Sequence, residues 1–295
     1  MAQVESIIST NNDSSSEDAE MKALMAKWDA ENGTAIDDDV DEELDDDPLD
    51  YDEALEKYRR VLFADSNAID HIFLGTSDFD QAMTDFTQLT GIEPVMVVSL
   101  NGLGTKSARV GFNECCFLEI VGPDPKQADT PMKHKLSGIE AGKLVPLHYA
   151  VRHDETMKTI KSETLPNLGY GFDQITMVAK DRGMPWQWDM VILEDHSDGG
   201  LAPIYCHWGK STHGASKLPQ VGRLVSVKVR VRDAQSPILQ LLSKVDGVDA
   251  GAAEGGQDML AFTFTSEKGT HTFSTSSPIG IAFPKEGGLP VKHAF

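Results

Sequence analysis

The chain has 295 residues, 40% of them hydrophobic, which is enough for a substantial core, and a formal net charge of -21. Residues 1–65 carry 21 acidic against 5 basic side chains and the remainder 26 against 21, so the acidity belongs to a leader that repels nucleic acid and anionic membrane. No apolar run is long enough for a membrane span, no secretory signal opens the chain, and three cysteines, two adjacent, make no disulfide framework, which places the protein in a reducing, cytoplasmic setting.

Residues 1–15 read as a polar, disordered start. Met21, Leu24, Met25 and Trp28 then repeat at helical spacing behind Ser14 and Glu17, placed like a capping box. Residues 36–48 are a solvated run of Asp, and a second helix is striped by Tyr51, Ala54, Leu55, Tyr58 and Leu62. The leader is therefore partly disordered, with two short helices.

The body is a repeat. Ile69 to Thr76 is a strand, Phe79 to Thr90 a helix, and three short strands follow, ending at Cys116 to Pro123. After a Pro-punctuated loop over 124–143 the pattern returns: strand Val145 to Arg152, helix Glu155 to Leu165, and strands Phe172 to Lys180, Trp186 to Leu193 and Pro203 to Gly209. From Gly222 it begins a third time and stops early, with strand Arg223 to Arg232, helix Pro237 to Lys244 and a hairpin over Met259 to Ser274; residues 284–295 are a Gly/Pro-rich tail. The fold class is α+β, with boundaries at 1–65, 68–221, 222–283 and 284–295.

Strand alternation sets the chemistry candidates. His71 shares a face with Ile69 and Phe73, and Glu119 with Phe117 and Val121, both opposite the helix. His148 shares a face with Ala150, and His207 with Tyr205. Each unit thus offers one candidate near its entry and one near its exit. Arg109 is a candidate for a substrate carboxylate, and Trp186 and Trp188 share a face that lines a pocket or the core. His196 and His213, in Gly-rich loops, are candidate general acids or bases; Cys115 and Cys116 read as packing residues. The basic face of Lys228, Arg230 and Arg232 lacks interleaved aromatics, which favours a solvated face or a clamp on the leader over nucleic acid.

Ile69-Asp70-His71-Ile72-Phe73-Leu74-Gly75, the helix from Asp78 to Gly91, and Phe117 to Pro125, followed by Asp195-His196, Gly199-Gly200, Pro203 to Gly209 and His213 to Pro219, resemble the glyoxalase-like domain of the vicinal oxygen chelate superfamily. The resemblance spans 68–283 and implies paired βαβββ units forming a cupped mixed sheet, with a partial third unit. It further implies a divalent metal on the concave face, bound at positions that fall on His71, Glu119, His148 and His207. Histidine on the final strand departs from the usual carboxylate. Such donors suit Zn²⁺, Fe²⁺, Ni²⁺ or Mn²⁺. The implied function is Lewis-acid activation of a small oxygenated substrate by a lyase, isomerase or dioxygenase, with Glu119 among the catalytic groups. Two alternatives stand beside it: a metal-free binding module of the same fold, and a scaffold that recruits a partner through its leader. A homodimer is compatible with either.

Overall fold

The computed structural model describes residues 3–7, 69–97, 103–152, 159–181, 184–193, 199–209, 213–281 and 290–292. The expected leader helices lie outside the described residues, as does His196.

The first unit comprises β2 (Ile69–Gly75), α1 (Phe79–Thr90), β3 (Val95–Val97), β4 (Thr105–Asn113) and β5 (Cys116–Pro123). The Asp78 side chain accepts from the Gln81 N–H at the start of α1, and Gly91, with φ 85°, closes its end in the left-handed conformation that glycine adopts without steric cost. Between these caps Phe79, Ala82, Phe86 and Thr90 recur at three and four residues and bury one stripe. The second unit comprises β6 (Val145–Arg152), a π turn Ile160–Thr164 running into a helical turn Leu165–Asn167, then β7 (Phe172–Asp181), β8 (Met184–Leu193) and β9 (Ile204–His207).

In each unit the last strand lies parallel beside the first, β5 on β2 and β9 on β6, and the two units join through the antiparallel pair β2 and β6. Two further strands extend the sheet beyond β7: β1 (Gln3–Ile7), from the start read as disordered, and β14 (Pro290–Lys292), from the tail. The sheet order is β14-β1-β7-β8-β9-β6-β2-β5-β4-β3, so the repeat is symmetric about that central pair of β2 and β6.

The third segment builds its own four-stranded sheet, ordered β11-β10-β12-β13, from β10 (Arg223–Val231), β11 (Val248–Ala252), β12 (Met259–Ser266) and β13 (Gly269–Thr275). β11, absent from the sequence reading, runs parallel to β10 after the helix Pro237–Leu242. Leu224, Val227, Val229, Val231, Phe262 and Phe264 join Phe86, Ile72 and Leu118 in one apolar cluster on the helix side of the large sheet. The basic face of β10 is balanced by β11, because Asp249 lies 2.9 Å from Arg230 and 3.5 Å from Lys228.

The opposite, inner face of the large sheet is partly filled. The stretch read as loop over 124–143 contains α2 (Pro131–Ser137), opened by Pro131 and capped by the Thr130 hydroxyl. It lays Met132 and Leu136 against Phe73, Val121, Leu147, Ala150, Ile204 and Cys206, with Ile281 closing the same cluster. Here two chain crossings are tight. A Cβ on Gly200 would sit 1.8 Å from the Leu147 carbonyl oxygen, to which the Gly280 N–H also donates at 3.2 Å. Gly200→Ala should therefore force backbone movement and cost about 3 kcal/mol, which urea denaturation would measure; an unchanged midpoint would refute this packing.

Candidate functional site

The site begins with a register slip. Ile69 pairs with Val151, but His71 pairs with Ala150, so Asp70 is an extra residue on β2. Such a bulge re-aims a side chain, and here it brings Asp70 to the side of His71, where regular alternation would separate them. It also reverses the expected phase of Ile69, which packs with Ile72 and Leu74 on the helix side and not with His71 and Phe73.

Asp70 is fully buried and each of its oxygens is used. Oδ1 accepts from His71 Nδ1 at 2.5 Å; Oδ2 accepts from the Trp208 indole N–H at 2.7 Å and from His213 Nε2 at 3.1 Å. Burial, the largest influence, would raise the Asp70 pKa; the charge that His213 and His71 carry when protonated and the hydrogen bonds of both rings outweigh it and hold the carboxyl well below its usual range. The tautomers follow. The Ala215 N–H donates to His213 Nδ1, leaving the His213 proton on Nε2, and the ionised Asp70 fixes the His71 proton on Nδ1. In its neutral form His71 carries its lone pair on Nε2, which has no hydrogen bond among the described residues. The imidazole is packed flat on Phe117, with ring centroids 4.4 Å apart, and edge-on to Phe73.

Glu119 and Arg109 form the second half. Their strands pair directly, and Arg109 Nε donates to Glu119 Oε2 at 2.7 Å. Burial would raise the Glu119 pKa, but Arg109, then His71, then a Ser107 hydrogen bond bring it below the ordinary value. The Arg109 guanidinium carbon also lies 4.9 Å from the centre of the Phe117 ring, and Arg109 is the more exposed partner, at 16% against 2% for Glu119. Trp188 stacks on Trp208 with centroids 5.1 Å apart, so the tryptophan marked by the sequence covers the Asp70 network. The Trp186 side chain lies outside the described residues.

The expected four-residue metal set is not brought together. His207 follows Tyr205 in phase, and Tyr205 lies in the helix-side cluster while Ile204 and Cys206 face inward, so His207 is on the wrong face. His148 faces inward, but its Nε2 donates to the Ala202 carbonyl at 2.6 Å and its Nδ1 accepts from Ile281 N–H at 3.2 Å. Both ring nitrogens therefore tie two loops to β6, and neither has a lone pair for a metal. A guanidinium already occupies Glu119. Among the described residues, the donors that do lie within 4.8 Å of one another are Asp70, His71 and Cys206, all buried. Burial pushes the Cys206 thiol well up. Asp70, Trp208 and Cys206 were missed in the sequence, where only the Asp beside His71 in an apolar strand marked a buried carboxylate in need of donors.

A family model described as a glyoxalase-like domain matches residues 69–245. No curated protein sequence matches the chain significantly. Among solved structures, methylmalonyl-CoA epimerase from Mycobacterium tuberculosis is 12% identical, covering 48% of this chain and 85% of its own, with a TM-score of 0.32. A variant of methylmalonyl-CoA epimerase from Streptomyces coelicolor with bound 2-nitronate-propionyl-CoA is 14% identical, covering 50% and 97%, with a TM-score of 0.35. A hypothetical protein from Bacillus halodurans is 17% identical, covering 48% and 93%, with a TM-score of 0.32.

Asp70 and Glu119 have lowered folded pKa values, so each adds stability that is present above its ordinary value, 3.8 for the Asp and 4.5 for the Glu, and is lost as pH falls through the lowered one. Melting temperatures from pH 7 down to pH 2 should show this acid limb, and Asp70→Asn should flatten it while lowering stability at pH 7. An Asp70→Asn profile parallel to wild type would refute the ionised Asp70.

Proposed function

The chain belongs to the glyoxalase-like domain family, and from that premise we propose that it is an enzyme acting on a small oxygenated molecule at the inner face of its sheet, with His71 as the acid–base group. One observation carries the reading: His71 Nδ1 is held by a buried carboxylate while Nε2, on a side chain only 8% exposed, has no protein partner among the described residues. A basic nitrogen left without a protein partner on an otherwise sheltered ring is open to a substrate proton or hydroxyl.

Each neighbour has a separate task. Asp70 orients the ring, fixes its tautomer and stabilises the imidazolium formed when Nε2 takes a proton. His213 and Trp208 donate to the far oxygen of Asp70 and hold that carboxylate in place; they act through Asp70, not on the substrate. Glu119, matched to Arg109, supports the guanidinium and is not a free base. Phe117 and Phe73 exclude water from the imidazole and strengthen the charge interactions around it.

A second reading has an observation of its own. A divalent ion, as the family resemblance implies, would take Asp70, His71 and Cys206, a carboxylate, imidazole and thiol set that suits Zn²⁺ and not Mg²⁺ or Ca²⁺. When bound, such an ion supplies Lewis-acid chemistry, and thiolate formation at Cys206 accompanies its uptake. Uptake would also displace the hydrogen bond between Asp70 and His71, so the two readings differ in the His71 ring.

Nitrogen-15 NMR of the imidazoles separates them. His71 should show Nδ1–H with a strongly downfield proton, moved upfield in Asp70→Asn. Diethylpyrocarbonate should acylate His71 faster than the doubly bonded His148. A metal-shifted His71 spectrum with stoichiometric Zn²⁺ in untagged protein would favour the second reading, and an Nε2–H tautomer without metal would overturn the first. Once a substrate is in hand, His71→Asn should lose about 10²- to 10⁴-fold in kcat.

A further inference from the structure

Resting on the acid–base reading of His71, we infer that the substrate is a short carboxylic acid whose carboxylate is held by Arg109. Arg109 has five N–H donors, and the described residues use one of them, Nε, for Glu119. Neither Nη carries a hydrogen bond among the described residues. The side chain is anchored twice, by the buried Glu119 carboxylate and by the face of Phe117, so its free edge is positioned without further loss of side-chain freedom. A planar fork with two unused parallel donors matches a carboxylate, which accepts both at once. Glu119 already balances the guanidinium charge, so the incoming carboxylate is held by the directional N–H donors of the fork.

Phe117 lies between the two groups, in contact with the His71 ring at 4.4 Å and the Arg109 guanidinium at 4.9 Å, so the clamp and the base flank one side chain. A small acid that carries a hydroxyl or an acidic C–H close to its carboxylate presents both functions, the carboxylate to Arg109 and the proton to Nε2. Aromatic walls at Phe117 and Trp188 leave little polar surface for a long, highly charged tail.

Titration of the full-length protein with lactate, malonate and the uncharged analogue lactamide, followed by calorimetry at pH 7, tests this. Lactate or malonate should bind and lactamide should not. Arg109→Lys keeps a cation against Glu119 yet loses the fork, and should weaken acid binding about tenfold or more. The double variant Arg109→Met with Glu119→Gln removes the ion pair as a unit, which guards against a folding defect from an unpaired Glu119, and should abolish binding with the melting transition retained. Equal binding of lactamide, unaltered binding in both Arg109 variants, or no binding of either acid overturns the inference. In that last case a His71 ring still protonated at Nδ1 leaves the acid–base reading standing, and a ring protonated at Nε2 removes both.

Discussion

A carboxylate with no solvent contact is the constraint on which the inner face depends. Asp70 would be intolerable in an apolar strand without donors, and it recruits three from three separate places: His71 beside it, Trp208 just after β9, and His213 in the loop beyond. Residues 138 and 143 positions away are thereby fixed against β2. This one charge sets the tautomer of His71, anchors the start of the 3₁₀ turn Gly214–Lys217 through His213, and aligns Trp208 under Trp188. Removing the carboxyl while leaving its donors would unsatisfy all of them together, and breaking a buried ionic network costs about 3–5 kcal/mol.

The two βαβββ units are equivalent in topology and unequal in chemistry. In the first, the inner-face polar groups keep an edge unused among the described residues, Nε2 on His71 and Nη on Arg109. In the second, the corresponding histidine is consumed by structure: His148 joins the Ala202 carbonyl to the Ile281 amide across β6, at the place where Gly200 and Gly280 let backbone pass backbone. The reason is local crowding. An inner face that receives α2 and the segment through Ile281 must satisfy the backbone groups they bring, and an imidazole with one donor and one acceptor does so at a single position. The repeat duplicated a scaffold, and filling one half of its hollow left the chemistry to the other.

Much of this was legible in the sequence. Two copies of strand, helix and three strands can be read from Ile69 and Val145 onward because apolar periodicity changes from two to roughly 3.6 at Phe79 and back again, with Asp78 and Gly91 marking the helix ends. His71, Glu119, Arg109, Trp188 and His213 were all named from their positions. Their partnership was not, for physical reasons. A bulge inserts one residue without any composition signal, so the sequence puts Ile69 on the wrong side of its strand and passes over Asp70. Four-residue β9 has too few turns of alternation to fix its own phase, and only pairing with Met190 and Val191 on β8 shows Cys206 inward and His207 outward. α2 hides among Pro and Lys residues because its apolar stripe is two residues long.

These misassignments share a direction that bears on how the site works. Counting histidines as ligands treats each as independent, whereas here each imidazole nitrogen is decided by what the next group needs. Ala215 donates to one nitrogen of His213 and so commits the other to Asp70; Asp70, held ionised by that donor, commits Nδ1 of His71; and only then does Nε2 become the basic atom. On the far side of Phe117 the same logic runs with charge: Glu119, held ionised by Arg109, lets the guanidinium stay half-sheltered with its Nη edge unspent. The base and the cation are thus set by two buried carboxylates that never meet the substrate, and Phe117, touched by both, keeps them at a constant separation. A reaction needing an anion held and a proton moved a few bonds away is the chemistry such a pair of supports leaves available.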